Sequence, residues 1–249
     1  MPIAEMGMLR AGRYAFGPNR LHYCGPERPL ELKDRIITKG ADEGLRDILT
    51  QFEAMYPYLL HIARANNIAD PLDERVVEAY WVGNALLEHV TKDAFYVHLA
   101  DGLSLKKKYG TSFEDITRHI GRGALPHHSF HVFDVWKKGE EIREADRLNS
   151  IDECRVSWGE VTDISGPFIT IMTPRLIIID GKLALGVPEP RRLVRALESE
   201  YEIEQIVPGN ILTVHWGVAC EVISPKQLAN LKHYTLRHIA LANQELWGI

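Results

Sequence analysis

The chain has 249 residues, 45% of them hydrophobic, with 29 basic and 34 acidic side chains and a net charge of −5. That balance supplies no basic stripe to neutralise phosphates, which argues against nucleic acid as a partner, and no uncharged apolar run reaches the roughly 20 residues that would span a membrane. Cys24, Cys154 and Cys220 are odd in number and far apart, unlike a disulfide framework, and Met1-Pro-Ile-Ala-Glu-Met lacks a secretory leader, so a cytoplasmic protein with reduced thiols is expected.

In chain order, Gly17-Pro-Asn-Arg-Leu-His22-Tyr-Cys24-Gly25-Pro26 reads as a shaped loop. From Asp42, the apolar positions Leu45, Ile48, Leu49, Phe52, Met55, Leu59, Leu60 and Ala63 follow the helical period. Asp73 is placed to cap a second helix carrying Val76, Val77, Tyr80, Trp81 and Leu87. A third runs from about Lys92 to Lys108, where Gly110 stops it. Ser112-Phe-Glu-Asp-Ile opens a shorter fourth helix toward His119. Phe130 to Trp136 alternates and predicts a strand. Residues 137–152 hold nine charged positions with little apolar pattern and read as a linker.

Beyond residue 152 the pattern is that of β-strands: Arg155–Ile164, Phe168–Met172, Leu176–Ile179, Leu183–Val187, Ile211–Val214 and Val218–Ile223. Asp180-Gly181 predicts a two-residue hairpin turn, Arg191–Leu197 fits a strand or a helical turn, and Ser224-Pro225 opens a final helix. The expected fold class is therefore α+β, with a helical domain over 1–136, a linker over 137–152, and a small β-barrel with a C-terminal helix over 153–249.

The candidate metal ligands are a thiol and an imidazole. Cys154-Arg-Val-Ser-Trp-Gly159 and Val214-His215-Trp-Gly217 lie on short β segments, and Cys with His suits iron, copper or zinc better than magnesium or calcium. Each also has a plain structural reading, Cys154 as a small core hydrophobe and His215 as a hydrogen-bonded core residue. Eight of the eleven histidines precede residue 150. In an extended chain His127 and His131 would share a face, with His128 pointing away, so His127 and His131 with His119, or with His22 and Cys24, form a second candidate set. Alternatively these histidines line a helix-to-strand junction, and Cys24 is buried and inert. Glu88-His89 could add one ligand, since neighbours on a helix diverge by about 100°. Cys220 is a candidate third ligand or an apolar filler beside Val222.

From Cys154 to about Leu236 the chain resembles the HypC/HupF-type hydrogenase assembly chaperones. The resemblance rests on Cys154-Arg-Val-Ser-Trp-Gly159-Glu-Val161-Thr-Asp-Ile164 and Gly209-Asn-Ile-Leu-Thr-Val214-His215-Trp-Gly217-Val-Ala219, and it covers about a third of the chain. It implies a small OB-like barrel in which Cys154 and His215 handle the iron of the nickel-iron centre, as a fragment bearing carbon monoxide and cyanide, between a maturation scaffold protein and the hydrogenase large subunit. The chain departs from that family in three ways. Cys154 is internal rather than amino-terminal, Trp158 replaces the usual proline, and Pro188–Arg192 and Glu198–Glu204 are insertions.

The expected function is thus an accessory protein of hydrogenase maturation, a metallochaperone more than an enzyme, with a lowered thiol pKa at Cys154 because the thiolate is the ligating form. Two alternatives stand beside it. One is an iron-dependent metalloenzyme using the N-terminal histidines, with the barrel as a delivery module; the other is a metal-free interaction module.

Overall fold

The computed structural model describes residues 3–135, 147–197 and 206–244. The fold is α+β: helices occupy the first half, and five strands followed by a long helix form the second. Helix α1 (Ile3–Asn19) and helix α2 (Pro29–Ile37) precede α3 (Glu43–Thr50), α4 (Met55–Ala65) and α5 (Glu74–Trp81). Asp42 and Asp73 cap α3 and α5 by accepting from Leu45 N–H and Arg75 N–H, as their positions require. The stripe read as one helix from Asp42 is two, broken where Phe52 turns into the core between α3 and α4. Gly17-Pro18-Asn19, expected in a loop, forms the last turn of α1.

The third predicted helix is also divided. Helix α6 (Lys92–Val97) passes through a π-helical turn at His98–Gly102 before α7 (Leu105–Tyr109), and α8 (Phe113–Gly121) follows. The strand expected from Phe130 is instead a helical turn, α9 (His128–Phe130), continuing as a π-helical turn over His131–Val135; Trp136 lies outside the described residues. His127 caps it, its Nδ1 accepting from Ser129 N–H at 3.1 Å. Alternation of apolar residues over so short a window did not discriminate, because Val132, Phe133 and Val135 are all buried regardless of period. Most of the predicted linker lies outside the described residues; its last part, 147–152, belongs to helix α10 (Arg147–Cys154).

Strands β1 (Ser157–Ser165), β2 (Phe168–Ile179), β3 (Lys182–Val194), β4 (Ile211–His215) and β5 (Val218–Ile223) close a barrel in the order β1-β2-β3-β5-β4. Neighbours are antiparallel except β3 and β5, which meet in parallel at Val194 and Val218. Two hairpins carry positive φ at both turn residues, Asp180-Gly181 (51° and 70°) and Trp216-Gly217 (50° and 71°), the arrangement that matches strand twist. Of the two expected insertions, Pro188–Arg192 simply extends β3, while Glu198–Glu204 lies outside the described residues. Helix α11 (Pro225–Ala242) starts with a Ser224/Gln227 capping box and Pro225 in its first turn.

The helical half and the barrel are packed together. One apolar cluster contains Tyr14, Leu45, Tyr80 and Phe95 from the helices and Val156, Trp158, Val218 and Ile223 from the barrel. At its edge Arg10 of α1, only 6% exposed, bonds Glu78 of α5 at 2.9 Å and Glu221 of β5 at 2.8 Å. The Tyr14 hydroxyl donates to Glu221 at 2.7 Å and lies 2.9 Å from the Thr213 hydroxyl. The described residues contain no helix long and apolar enough to cross a membrane.

The entry into β1 is held by buried charge. Arg155, 1% exposed, donates to Asp152 at 2.8 Å and to the Pro174 carbonyl at 2.5 Å, while Asp152 also accepts from Leu176 N–H at 2.9 Å and pairs with Arg175. Removing one partner of a buried pair strands the other. Asp152→Ala is therefore expected to cost about 3 kcal/mol or more of unfolding free energy, measured by denaturant titration; a loss no larger than for an exposed carboxylate would contradict this account.

Candidate metal centre

Strand pairing brings the two motifs together. Strands β1 and β4 are antiparallel, with Ser157 opposite Val214, so the residues entering β1 lie beside those leaving β4. Cys154 ends α10 just before β1, and His215 ends β4. Trp216 N–H donates to Glu153 O at 2.9 Å and locks the two segments side by side. Glu153 is in turn paired with Arg191 of β3 at 2.6 Å.

A third side chain completes the group. Ligand atoms of His128, Cys154 and His215 all lie within 4.8 Å of one another, and all three residues are buried. The two imidazoles meet at a centroid separation of 5.0 Å and an angle of 84°. Donor atoms 2.0–2.3 Å from a tetrahedral ion are roughly 3.5 Å apart, so side-chain shifts of about an ångström would close the three on one ion. Among the described residues no other set of three or more His, Cys, Asp or Glu meets this proximity.

The hydrogen bonds define which nitrogens can ligate. His215 Nδ1 lies 2.6 Å from the Tyr14 carbonyl; since a carbonyl only accepts, Nδ1 carries the proton and Nε2 holds the lone pair. His215 Nε2 is buried without a hydrogen-bond partner. His128 Nε2 donates to the Cys154 carbonyl at 2.8 Å, which leaves Nδ1 as the basic nitrogen, 3.2 Å from the Tyr80 hydroxyl. Both imidazoles are thus oriented by a backbone carbonyl, as outer-shell partners orient metal-bound histidines. The Trp81 ring packs 4.4 Å from His128 and 5.2 Å from His215.

Burial sets the protonation states. It lowers His215 to about 4 against the opposing Tyr14 and Cys154 carbonyls and holds His128 well below the usual imidazole range. Both imidazoles are accordingly neutral and competent to ligate. The lowered thiol expected at Cys154 is not found: burial pushes it far up, with the neighbouring Cys24 adding to the effect and the Trp216 side chain opposing it. The thiolate forms here only if a cation replaces its proton.

The other candidates lie elsewhere. His127 is turned away from the triad, its Nδ1 2.7 Å from the Ser129 hydroxyl, which also meets His238 Nδ1 at 2.7 Å. His131 packs edge-on against Tyr58, so the extended-chain face expected for His127 and His131 does not exist. His119 is paired with Asp134 at 2.6 Å, and His89 with Asn66 at 2.6 Å. His22 is exposed beside Glu27. Cys220 is buried, its thiol directed to the Val218 carbonyl at 3.4 Å, and it packs as part of the core. Cys24 is half-buried in the turn after α1 and does not belong to the triad. The candidate ligand that the sequence reading turned away from the site is His128. Its signal was Pro126-His127 as a helix start, which would have turned residue 128 inward.

The family of unknown function DUF6390 matches residues 3–248. The chain belongs to that family. Its match runs through the helical half and the barrel alike, in keeping with a site whose ligands come from both. No curated protein matches the chain, and no solved structure does.

Two predictions follow from this geometry. Gly17 of α1 packs so closely on the turn after β4 that a Cβ would lie 2.4 Å from the His215 carbonyl. Gly17→Ala is expected to push α1 off His215 and weaken metal binding by at least tenfold, as loss of outer-shell support does, read by competition with a chromophoric chelator; unchanged affinity would refute it. The second concerns acid stability of the metal-free protein. Burial lowers His61 to about 4, His98 to about 3, His127 to about 3 and His131 to about 4, and His238 lies well below the normal value. The unfolded chain therefore binds more protons than the folded one between about pH 6.5 and pH 4, so stability falls as pH drops through that window. Thermal melting across pH 7.5 to 4.5 should show this fall, and a flat profile above pH 5 would contradict it.

Proposed function

We propose that this protein is an accessory factor of nickel-iron hydrogenase maturation that binds an iron fragment, bearing carbon monoxide and cyanide, and delivers it to a scaffold partner or to the hydrogenase large subunit. The observation that carries the reading is the convergence of Cys154 and His215, the pair implied by the HypC/HupF-type resemblance, on one buried centre with His128. A thiolate with two imidazoles is a donor set that suits iron. Three protein ligands leave coordination positions open for other ligands of a carried ion. Tyr14 and the Cys154 carbonyl orient the imidazoles, and Trp81 and Trp216 keep the site dry.

A second reading is favoured by His128. A ligand drawn from the helical half makes the centre a joint product of both halves, as a resident metal of an enzyme would be, although His127 and His131 themselves face other partners.

Infrared spectroscopy and metal analysis of protein purified without oxygen, together with hydrogenase maturation partners, separate the readings. Iron with carbonyl and cyanide bands, both lost in Cys154→Ala and in His128→Ala, is the expected result. Stoichiometric metal without those bands would make the centre a resident one, and absence of metal from the wild type would overturn both in favour of a metal-free interaction module.

A further inference from the structure

A second site lies in the helical half, apart from the triad. A cleft of about 620 Å³ opens between α4 and the run from α6 into its π-helical turn, a volume in the range of small-molecule sites. Leu60 of α4 and Ala94 and Val97 of α6 give it apolar sides, and Tyr56 adds a ring. His61 of α4 and His98 of the π-helical turn also line it, their rings nearly parallel at 8° with centroids 4.5 Å apart. Tyr58 stands edge-on to His98 at 4.9 Å and packs on Tyr80 at 5.3 Å. Two tyrosine rings thus separate the cleft from His128, and none of the three candidate metal ligands lines it.

The polar groups of this cleft lack protein partners. His98 is only 8% exposed, yet among the described residues neither it nor His61 makes a side-chain hydrogen bond, and Nε2 of each is buried without a partner. Burial lowers them to about 3 and about 4, so both rings are neutral and each keeps one nitrogen able to accept. Gly102 leaves the Nδ1 edge of His98 uncovered, since a Cβ there would lie 2.9 Å from that nitrogen. Leu103 N–H bonds the His98 carbonyl at 2.9 Å, five residues back instead of four, a π-helical geometry frequent at functional sites. Arg64 lines the α4 wall while Asp93 and Asp101 line the other, and none of the three forms an ion pair among the described residues. Unlike charges therefore share one cleft without meeting. A lone metal ion does not fit, because no third His, Cys or carboxylate comes close enough to the two rings.

We infer that this cleft binds a zwitterion with an apolar body, an α-amino acid carrying an aromatic side chain. Its carboxylate pairs with Arg64, whose planar guanidinium matches a carboxylate in two hydrogen bonds. Its ammonium pairs with Asp101 and donates to the accepting nitrogen of His98. Its ring lies on Leu60 and Val97 and stacks on the His61 imidazole. A ligand with a single charge would leave either the guanidinium or the carboxylates unpaired. The inference is independent of the metal reading of the triad.

Isothermal titration calorimetry of the full-length chain with L-phenylalanine tests this, with phenethylamine and 3-phenylpropionate as analogues that lack its carboxylate and its ammonium. L-phenylalanine is expected to bind saturably at one site per chain, and each analogue about tenfold or more weakly, the cost of one lost hydrogen bond to a charged group. Arg64→Met and Asp101→Asn should each weaken L-phenylalanine by a similar factor. Both side chains are exposed, so melting of the ligand-free variants should match wild type. Absence of saturable binding by wild type overturns the inference, as does binding that survives unchanged when either ligand charge or either side chain is removed. Neither result alters the metal content of the triad, which is measured separately.

Discussion

The centre depends on one hydrogen bond, from His215 Nδ1–H to the Tyr14 carbonyl. Its net contribution to stability is on the order of 1 kcal/mol, yet it decides which nitrogen of His215 carries the proton and how the ring is aimed. It forms because α1 lies directly on the β4–β5 hairpin. Gly17 permits the approach by having no side chain, and Arg10 and Tyr14 bind Glu221 on the next strand. The helical half is thus the outer shell of a site whose thiol and one imidazole are supplied by the barrel. Separating the two would leave His215 without its orienting partner.

Burial of the polar groups around the centre is consistent with this. Ser129, His127 and His238 form a chain whose proton positions are determined at one end. Leu125 N–H donates to His238 Nε2, so His238 Nδ1–H donates to the Ser129 hydroxyl, which donates onward to His127 Nδ1. Arg155 and Asp152 do the equivalent on the other side, bonding three backbone and side-chain partners near the start of β1. Such networks specify one arrangement because a half-satisfied version is costly. Here the first fixes the turn carrying His128 on α11 and the second fixes the segment carrying Cys154 on β2, while His128 itself bonds the Cys154 carbonyl.

Much of this was legible in the sequence, for identifiable reasons. Caps at Asp73 and Ser224, and the Asp180-Gly181 turn, are local signals that tertiary packing did not override. Cys154 and His215 were legible as the polar members of two short motifs, Cys154–Gly159 and Val214–Gly217, which antiparallel pairing of β1 and β4 brings together, although Cys154 ends α10 rather than lying on a β segment. His128 was not, because Phe130, Val132, Phe133 and Val135 are all buried, and burial of that kind erases the difference between a period of two and a period of 3.6. The breaks between α3 and α4, and at the π-helical turn of His98, answer to packing against other elements rather than to local residues. The high thiol pKa at Cys154 was also out of reach, since it is set by burial that only the assembled halves create.

The arrangement as a whole is a poor solution for stability alone. An unsatisfied buried nitrogen costs about 1–3 kcal/mol, and His215 Nε2 is one. Replacing the triad with leucine-sized side chains would remove that cost and fill the space between Trp81 and Trp216. The protein instead holds two imidazoles neutral, each with one nitrogen on a backbone carbonyl, beside a protonated thiol, the second nitrogen of His128 lying against the Tyr80 hydroxyl. An ion with affinity for sulfur and nitrogen removes the penalty and the thiol proton in one step, whereas a proton alone removes neither. On the proposed function, binding of such an ion is what this polar interior is for, and the buried Nε2 of His215 is the atom that reading turns on.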